Sequence, residues 1–218
     1  ENEMMRNIIG QSQSGFNLDE IMNSRKIFLA NLSKGLTGEV NSSLLGLILV
    51  SKMQIAALRR ARIPEHERQD FYLYIDEFQN FTTNSIATIL SEARKYRLCL
   101  ILAHQFMPQL KEEIKDAVIG NVGTIASYRV GVPDAEFLEN QFRPEFSKFD
   151  LANLDNFQYI VKMLINNKVT SPFKIAAPRP VSGDPEIARL ARNTSKIKYG
   201  RPRIIVEQEI IERSRLGL

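Results

Sequence analysis

The chain has 218 residues, of which 44% are apolar and 25% charged, values typical of a globular domain with room for one appendage. The longest apolar run, residues 44–50, is much shorter than the roughly 20 residues of a membrane span, so the sequence predicts none. A single cysteine, Cys99, excludes an internal disulfide, and the two histidines, His66 and His104, lie too far apart for a metal-ligand motif.

The net charge of +4 comes entirely from the C-terminal part of the chain. Residues 174–218 hold ten basic and five acidic residues, whereas residues 1–173 hold nineteen basic and twenty acidic residues. A basic tail favours nucleic acid or an acidic partner, and a merely solvated tail is an equally good interpretation. No secretory signal begins the chain, and because its first residue is Glu1 rather than Met we expect an internal piece of a longer protein.

The first predicted elements are a short strand and a long helix. The apolar run at residues 27–32 (IFLANL) predicts a buried strand. A helix is predicted from Thr37 or Asn41 to about Arg62, where Pro64 closes it. Because this helix is apolar nearly all round, we expect it to be buried.

Two strands and the helix between them follow. The run at residues 71–75 (FYLYI) has no polar alternation and predicts a strand buried on both faces of a parallel sheet. Residues 82–85 supply N-cap side chains for a helix to about Lys95, whose apolar residues fall on one face. The run at residues 98–103 (LCLILA) predicts the second strand.

The remaining segments continue the alternation of strands and helices. They predict a helix at 109–120, a strand at 123–130, a helix at 134–142, and a strand pair at 157–165 and 171–177. The fold class is therefore α/β, a mostly parallel sheet flanked by helices. We expect three segments along the chain: a polar lead-in at 1–26, the domain at 27–177, and a basic helical tail at 178–218 after a proline-rich linker.

Two adjacent acids, Asp76 and Glu77, stand at the predicted carboxyl end of the strand at residues 71–75. In open α/β sheets ligands bind at the carboxyl ends of strands, so acids there face a ligand. One interpretation is a solvated turn that carries two acids by chance. The sharper interpretation is the magnesium-and-water pair of a nucleotide hydrolase, in which one acid holds Mg²⁺ and the other polarises the attacking water.

Two more residues fit the same chemistry. Gln105 follows the strand at residues 98–103, where a polar side chain can report whether a γ-phosphate is present. Arg94 ends the helix between the two strands, and a guanidinium can stabilise the charge of the transition state, often from another subunit. With the two acids, these residues supply each part that phosphoryl transfer requires.

At this point the sequence resembles a known family. The stretches YLYIDEFQNF, ILSEARKYRLCLILAHQ and GNVGTIASYRVGVPDAEFL are similar to the C-terminal half of the conjugative coupling ATPases of type IV secretion, the TraG/TraD group, which are relatives of the HerA/FtsK DNA translocases. The resemblance runs from about residue 27 to residue 175 and includes NLSKGLTGE. It implies a RecA-like domain that assembles into a hexameric ring and moves DNA with ATP and Mg²⁺, in the cytoplasm or at the cytoplasmic face of the inner membrane through parts outside this chain.

The resemblance also implies roles for the four residues. Asp76 matches the Walker B aspartate, which binds Mg²⁺ through water, and Glu77 matches the catalytic base. Gln105 matches the γ-phosphate sensor, so these three residues would line the bound ATP. Arg94 matches the family's arginine that acts across the subunit interface.

Three further residues give weaker evidence of a functional role. Arg129 is a second candidate for an arginine acting in trans, but a strand residue paired with the acid-rich segment 134–139 is the favoured interpretation. Phe78 and Phe81, which follow the acids, are expected to anchor the turn by packing rather than to stack on bases.

One departure from the family pattern stands beside these matches: the sequence contains no GxxxxGK[ST] motif. The family carries that motif upstream of the matched region. We therefore expect the chain to lack the central P-loop strand, which in the sheet would lie between the strands at residues 98–103 and 123–130. A degenerate RecA-like module that docks partners without hydrolysis would also lack it, and a purely structural role for the acids is a third interpretation. The residue types at Glu77, Arg94 and Gln105 favour the ATPase.

Overall fold

The computed structural model describes residues 2–82 and 84–215. Helices and strands alternate along most of this range, as the sequence predicts. The described α-helices are α1 (Glu3–Ile9), α2 (Leu18–Asn23), α3 (Lys34–Thr37), α4 (Glu39–Arg59), α5 (Asn84–Glu92), α6 (Glu112–Asn121), α7 (Val132–Phe142), α8 (Lys148–Ala152), α9 (Pro185–Tyr199) and α10 (Arg203–Arg215). The described strands are β1 (Phe71–Ile75), β2 (Leu98–Leu102), β3 (Ile125–Ser127), β4 (Gln158–Lys162), β5 (Leu164–Ile165), β6 (Lys168–Val169) and β7 (Phe173–Ala176).

The chain divides into two compact units. One unit comprises residues 1–42 and 181–218, and the other comprises residues 43–180. The N-terminal lead-in and the C-terminal tail, expected as separate segments, thus lie in the same unit. The candidate site residues all lie in the unit of residues 43–180.

Strands β1 and β2 form a parallel pair in strict register. Phe71 lies opposite Leu98, and Ile75 lies opposite Leu102. The intervening helix α5 and the 3₁₀ turn Ala93–Tyr96 bring the chain back to the start of the pair, as a parallel connection requires. Ile86, Ile89 and Ala93 are buried, which confirms the predicted apolar face of this helix. The N-cap predicted at 82–85 includes residue 83, which lies outside the described residues.

One face of this pair is open, contrary to expectation. Tyr72 is 58% exposed and Tyr74 72% exposed, while Ile75 is buried. The prediction that β1 is buried on both faces is therefore wrong for the described residues. The lack of polar alternation indicates two apolar faces, but the described part of the chain supplies a cover for only one of them.

The strand predicted at residues 27–32 is also wrong, because these described residues form no strand. Ile27 is 89% exposed and Leu29 is 85% exposed, so the apolar run has neither a partner strand nor a cover in the described chain. Apolarity and β-propensity predict the conformation of a strand, whereas a strand exists only where another edge supplies its hydrogen bonds.

A second sheet is antiparallel and has the order β3–β4–β7. Its β4–β7 pairing confirms the strand pair predicted at 157–165 and 171–177. The single, mostly parallel sheet of the prediction is confirmed only for β1 and β2. Between β4 and β7 the chain also forms the hairpin β5–β6, whose turn residues Asn166 and Asn167 both have positive φ. The second sheet packs against α7 and α8 through a buried apolar cluster: Ala135, Leu138, Phe142, Leu151, Leu154 and Ile160.

Helix α4 is long and apolar, as predicted, but only one side of it is buried. Met53, Ala56 and Ala57 lie in the core, whereas Ile55 and Leu58 are exposed. By length and composition alone, the helix over Glu39–Arg62 could cross a membrane, a property that the core helices of soluble proteins share. A third of the most apolar stretch of this helix is buried.

Gly46 on α4 allows an aromatic ring to approach the helix backbone. A Cβ atom at this position would lie 2.2 Å from Cδ1 of Phe81, far inside van der Waals contact. Phe81 and Phe78 are both buried, which confirms that they anchor the turn after the acids by packing.

The unit of residues 1–42 and 181–218 joins both ends of the chain. The side-chain amide of Asn7 on α1 donates to Oε1 of Glu207 on α10 at 2.9 Å. Arg203 forms an ion pair with Glu3, and the Arg213 guanidinium donates to the carbonyl oxygen of Gly10. Several tail cations are therefore engaged within this unit.

Arg60, at the end of α4, is a buried cation that holds the start of the parallel pair. It is 1% exposed, although the sequence "RRAR" is what a solvated helix end would carry. Its guanidinium donates to the carbonyl oxygens of Gln69, Tyr96 and Arg97, which precede β1 and β2. Three backbone acceptors at the amino ends of both strands thus share one side-chain donor.

Replacing Arg60 with methionine should lower the free energy of unfolding of this chain by about 2–4 kcal/mol, because partly buried carbonyl oxygens would lose a donor. Chemical denaturation followed by circular dichroism measures this change. The matched control is Arg62→Met, an exposed neighbour in the same turn, which should stay within about 0.5 kcal/mol of wild type. Equal effects of the two substitutions would contradict the role assigned to Arg60.

Candidate active site

The parallel pairing places Glu77 and Gln105 at the same edge of the β1–β2 sheet. Glu77 follows β1 by two residues, and Gln105 follows β2 by three. The backbone bonds continue past both strands, because Ala103 N–H donates to Ile75 and Phe78 N–H donates to Ala103, each at 3.0 Å. The Gln105 side-chain amide then donates directly to Oε1 of Glu77. The structure thus brings together two of the predicted site residues.

Asp76 lies beside them and is exposed. Its Oδ1 atom accepts the backbone N–H of Glu77 at 3.0 Å. No group of three or more His, Cys, Asp or Glu side chains that could hold a metal ion occurs within residues 2–82 and 84–215. One exposed carboxylate suits Mg²⁺ only when phosphates and waters complete the coordination shell, which is how that ion usually binds. Asp76 therefore fits a metal that arrives with a nucleotide.

Arg94 lies at the opposite end of the pair. It belongs to the 3₁₀ turn Ala93–Tyr96, and the carbonyl of Arg97 just beyond it accepts the backbone N–H of Phe71, the first residue of β1. A five-residue strand is about 16 Å long, so the structure separates Arg94 from the carboxyl ends of the strands by roughly that distance. The Arg94 side chain is exposed and makes no ion pair among the described residues.

Arg129 makes no hydrogen bond or ion pair with the two acids in the part of the chain that the structure describes. It follows the end of β3, and its guanidinium donates to Oδ1 of Asn156 at 3.3 Å. The favoured interpretation placed Arg129 in a strand and paired it with residues 134–139. Within the described chain its hydrogen-bond partner is instead a neutral side chain at the turn before β4, so that interpretation is wrong.

Glu77 has a left-handed backbone, with φ 49° and ψ 44°. A residue with a Cβ atom pays roughly 1 kcal/mol for this conformation, and such residues concentrate at functional sites. The sharp turn ends β1 and starts the 3₁₀ turn Phe78–Phe81, so the carboxylate stands at the tip of the strand. Nothing in the sequence around Glu77 signals a positive φ.

Gln79 is a site residue that the sequence did not reveal. Its side-chain amide nitrogen donates to Oε2 of Glu77 at 2.5 Å, on the carboxylate oxygen that Gln105 does not use. The spacing of two residues brings these side chains together only because of the left-handed turn between them. Residues two apart lie on one face of an extended strand but roughly 7 Å from each other, and on different sides of a helix, so neither pattern predicts this contact.

His104, directly before Gln105, ties the site to α7. Its ring packs edge-on against Phe78, with centroids 5.4 Å apart, and its Nε2 lies 2.8 Å from the sulfur of Met107. The backbone N–H of Met107 donates to the buried carboxylate of Asp134 on α7 at 3.2 Å. Burial lowers the pKa of His104, against the opposing effects of the Asp134 and Glu77 carboxylates.

A family model matches the part of the chain that contains the candidate site. Residues 70–140, which contain β1, β2 and all four candidate residues, match the family described as the TraM recognition site of TraD and TraG. The chain is similar to the plasmid coupling protein TrwB in complex with ADP and Mg²⁺, with a TM-score of 0.51 and 18% identity. That similarity covers 69% of this chain and 38% of the TrwB chain, so this chain corresponds to well under half of TrwB.

A second solved structure is also similar. It is the genome packaging NTPase B204 from Sulfolobus turreted icosahedral virus 2 in complex with AMPPCP, with a TM-score of 0.46 and 13% identity over 78% of this chain and 74% of that chain. No curated protein matches the chain in sequence.

The family match at residues 70–140 and the fold therefore place this part of the chain in the class of coupling-protein-like domains. Within that class, residues 70–140 are of the TraG/TraD type, and the resemblance predicted from the sequence is confirmed for that part of the chain. At 18% identity, the likeness to TrwB shows the fold alone.

Replacing Glu77 with glycine or with alanine removes the same carboxylate but has different effects on the backbone. Because glycine adopts a left-handed conformation without strain, Glu77→Gly should be more stable than Glu77→Ala by about 1 kcal/mol. The difference in unfolding free energy between the two variants measures the strain at this position. Equal stabilities, or a more stable alanine variant, would show that the backbone at position 77 is not strained.

His104 should make stability depend on pH in a defined direction. Its pKa is lowered from 6.5 by folding, so unfolding takes up a proton, and stability is lost as pH falls from about 6.5 towards the folded value. The unfolding free energy of His104→Gln should therefore fall less than that of wild type between about pH 7.5 and about pH 5. His66→Gln, the matched control at an exposed histidine, should retain the wild-type dependence. A wild-type slope in His104→Gln would refute the assignment.

Proposed function

We propose that this chain is the back half of an ATP-driven DNA-translocating motor of the TraG/TraD group. The observation that carries the proposal is the hydrogen bond from Gln105 to Glu77 across the carboxyl ends of two parallel strands. A carboxylate and a neutral amide in this arrangement suit a catalytic base and a sensor that reports on it. The family match over residues 70–140 supports the same conclusion.

Each residue has a distinct role in the proposed reaction. Asp76 would hold Mg²⁺ through water, and that ion would supply neutralisation of the phosphate charge of ATP. Glu77 orients the attacking water and accepts its proton. Gln105 leaves Glu77 when a γ-phosphate is present and donates to that phosphate instead. In this way the base becomes fully available only when ATP occupies the site.

The proposal needs a phosphate-binding loop that the sequence does not contain. Within the described residues β2 pairs only with β1, and β3 pairs only with β4, so each strand has an edge that is free for another strand. A P-loop strand from elsewhere in the polypeptide, placed between those two edges, would complete a RecA-like sheet. We therefore do not expect the chain to hydrolyse ATP on its own.

The partners proposed for the complete protein follow from the same family. They are DNA as the translocated substrate, further copies in a hexameric ring, and components of a type IV secretion complex. The position would be cytoplasmic, at the inner face of a membrane to which parts outside this chain are attached. The family description also names TraM, which makes a TraM-like protein a candidate partner for residues 70–140.

A second candidate function is a docking module that binds partners without hydrolysis. The description of the matched family as a recognition site favours it. The exposed Tyr72 and Tyr74 lie within the matched residues and offer an apolar surface for such a contact. In this case Glu77 and Gln105 would have no effect on nucleotide turnover, which separates the two functions.

The experiment that tests the motor mixes two inactive variants of the intact ring-forming protein, Arg94→Ala and Glu77→Gln. Because Arg94 lies too far from its own Glu77 to reach the same γ-phosphate, its proposed role is to act on a neighbour's nucleotide. An arginine used in this way is worth about 10³–10⁵ in rate. In a random mixture roughly a quarter of the interfaces pair an intact Glu77 with an intact Arg94, so ATPase activity should partly return.

Lys95→Ala is the matched control, because Lys95 is an exposed cation in the same turn and should be dispensable. Native mass spectrometry establishes whether mixed rings form. If they form and the mixture is never more active than either variant alone, the trans role of Arg94 is wrong. If Glu77→Gln by itself hydrolyses ATP at the wild-type rate, the motor is wrong and the docking module is favoured.

A further inference from the structure

The Glu77 carboxylate is held by two amides, one on each oxygen. Gln105 donates to Oε1 from the loop after β2, and Gln79 donates to Oε2 at 2.5 Å from the turn that follows Glu77 itself. We propose that Gln79 is a positioning residue that keeps the Glu77 carboxylate in place while Gln105 turns to the γ-phosphate. This inference rests on the proposed function and adds a residue to it.

The two donors differ in how firmly they are anchored. Gln79 belongs to the turn Phe78–Phe81, whose two aromatic rings are buried, and its carbonyl oxygen accepts the hydroxyl of Thr82 at 3.2 Å. Gln105 is exposed and lies in a segment without regular secondary structure. The hydrogen bond from Gln79 therefore persists when Gln105 moves, because the backbone on which Gln79 sits is fixed by packing.

The surroundings of the Gln79 amide oxygen indicate that the amide has one preferred orientation. Oε1 is buried and has no hydrogen-bond partner among the described residues. Rotating the amide by half a turn would remove the donor from Glu77 and bring Oε1 against the carboxylate oxygen, which is repulsive. The contact with Glu77 therefore determines the orientation, and a glutamate at position 79 would place one carboxylate against another.

A fixed carboxylate matters for the proposed reaction because a general base has to lie within hydrogen-bond distance of its water. Glu77 has three rotatable side-chain bonds, and its backbone is already in a left-handed conformation. Once Gln105 leaves, Gln79 is the only described side chain that donates a hydrogen bond to this carboxylate. Loss of Gln79 should therefore reduce turnover without weakening nucleotide binding.

The test begins with ¹⁵N-labelled chain and the exchange rates of the side-chain amide protons, which need no nucleotide. The isosteric variants are Gln79→Glu and Gln105→Glu, and Gln109→Glu is the control at an exposed glutamine. In wild type the Gln79 amide should exchange at least about tenfold more slowly than that of Gln109. It should stay slow in Gln105→Glu, whereas the Gln105 amide should exchange faster in Gln79→Glu.

Activity is then measured in the intact ATPase. Gln79→Glu should lower kcat about 10- to 100-fold and leave the KM for ATP within about twofold, and it should have no further effect in a Glu77→Gln background. Gln79→Leu, which removes the donor without adding charge, should behave in the same way if Gln79→Glu fails to fold.

The outcomes separate the two proposals. A Gln79 amide that exchanges as fast as that of Gln109, or that loses its protection in Gln105→Glu, overturns the positioning role whatever the activity. Wild-type kcat in both Gln79 variants, together with an inactive Glu77→Gln, overturns it while the motor stands. A fully active Glu77→Gln overturns the motor and with it any catalytic effect of Gln79.

Discussion

The in-register pairing of β1 with β2 is the constraint on which the rest of the site depends. Because Ile75 lies opposite Leu102, the residues after each strand emerge at the same edge, and Glu77 meets Gln105. A shift of one residue would turn the side chains to the other face and separate the two. At the other end of the pair, the buried guanidinium of Arg60 binds the carbonyl oxygens that precede both strands. The site is thus determined by backbone pairing at one end and by a single side chain at the other.

Most of the elements and the edge at which the site lies could be predicted from the sequence, because both follow from local patterns. Apolar runs of five or six residues predict β1 and β2, and the helical spacing of Ile86, Ile89 and Ala93 predicts the buried face of α5. What a strand pairs with is not a local property. The segment 27–32 and the open face of Tyr72 and Tyr74 show this. Their apolar sequences predict burial but do not identify the element that would cover them.

The residues that sequence patterns missed share another feature: their roles come from contacts between distant or irregular parts of the chain. Arg60 resembles a solvated helix end until the carbonyls before β1 and β2 surround it. Asp134 resembles an ordinary acid in the first turn of a helix, yet it is buried against the loop that carries His104 and Gln105. Gln79 reaches Glu77 only through a left-handed turn. Local propensity contains no information on such contacts.

The approach of the Phe81 ring to Gly46 limits how this chain can change in evolution. A methyl group on α4 at this point would collide with the ring and displace the turn that carries Gln79. Any lineage that replaces Gly46 must therefore also reduce or move the aromatic side chain at position 81. The two positions should covary among homologues, although neither side chain takes part in the proposed reaction. An alignment would then show a constraint on a helix that contributes no residue to the site.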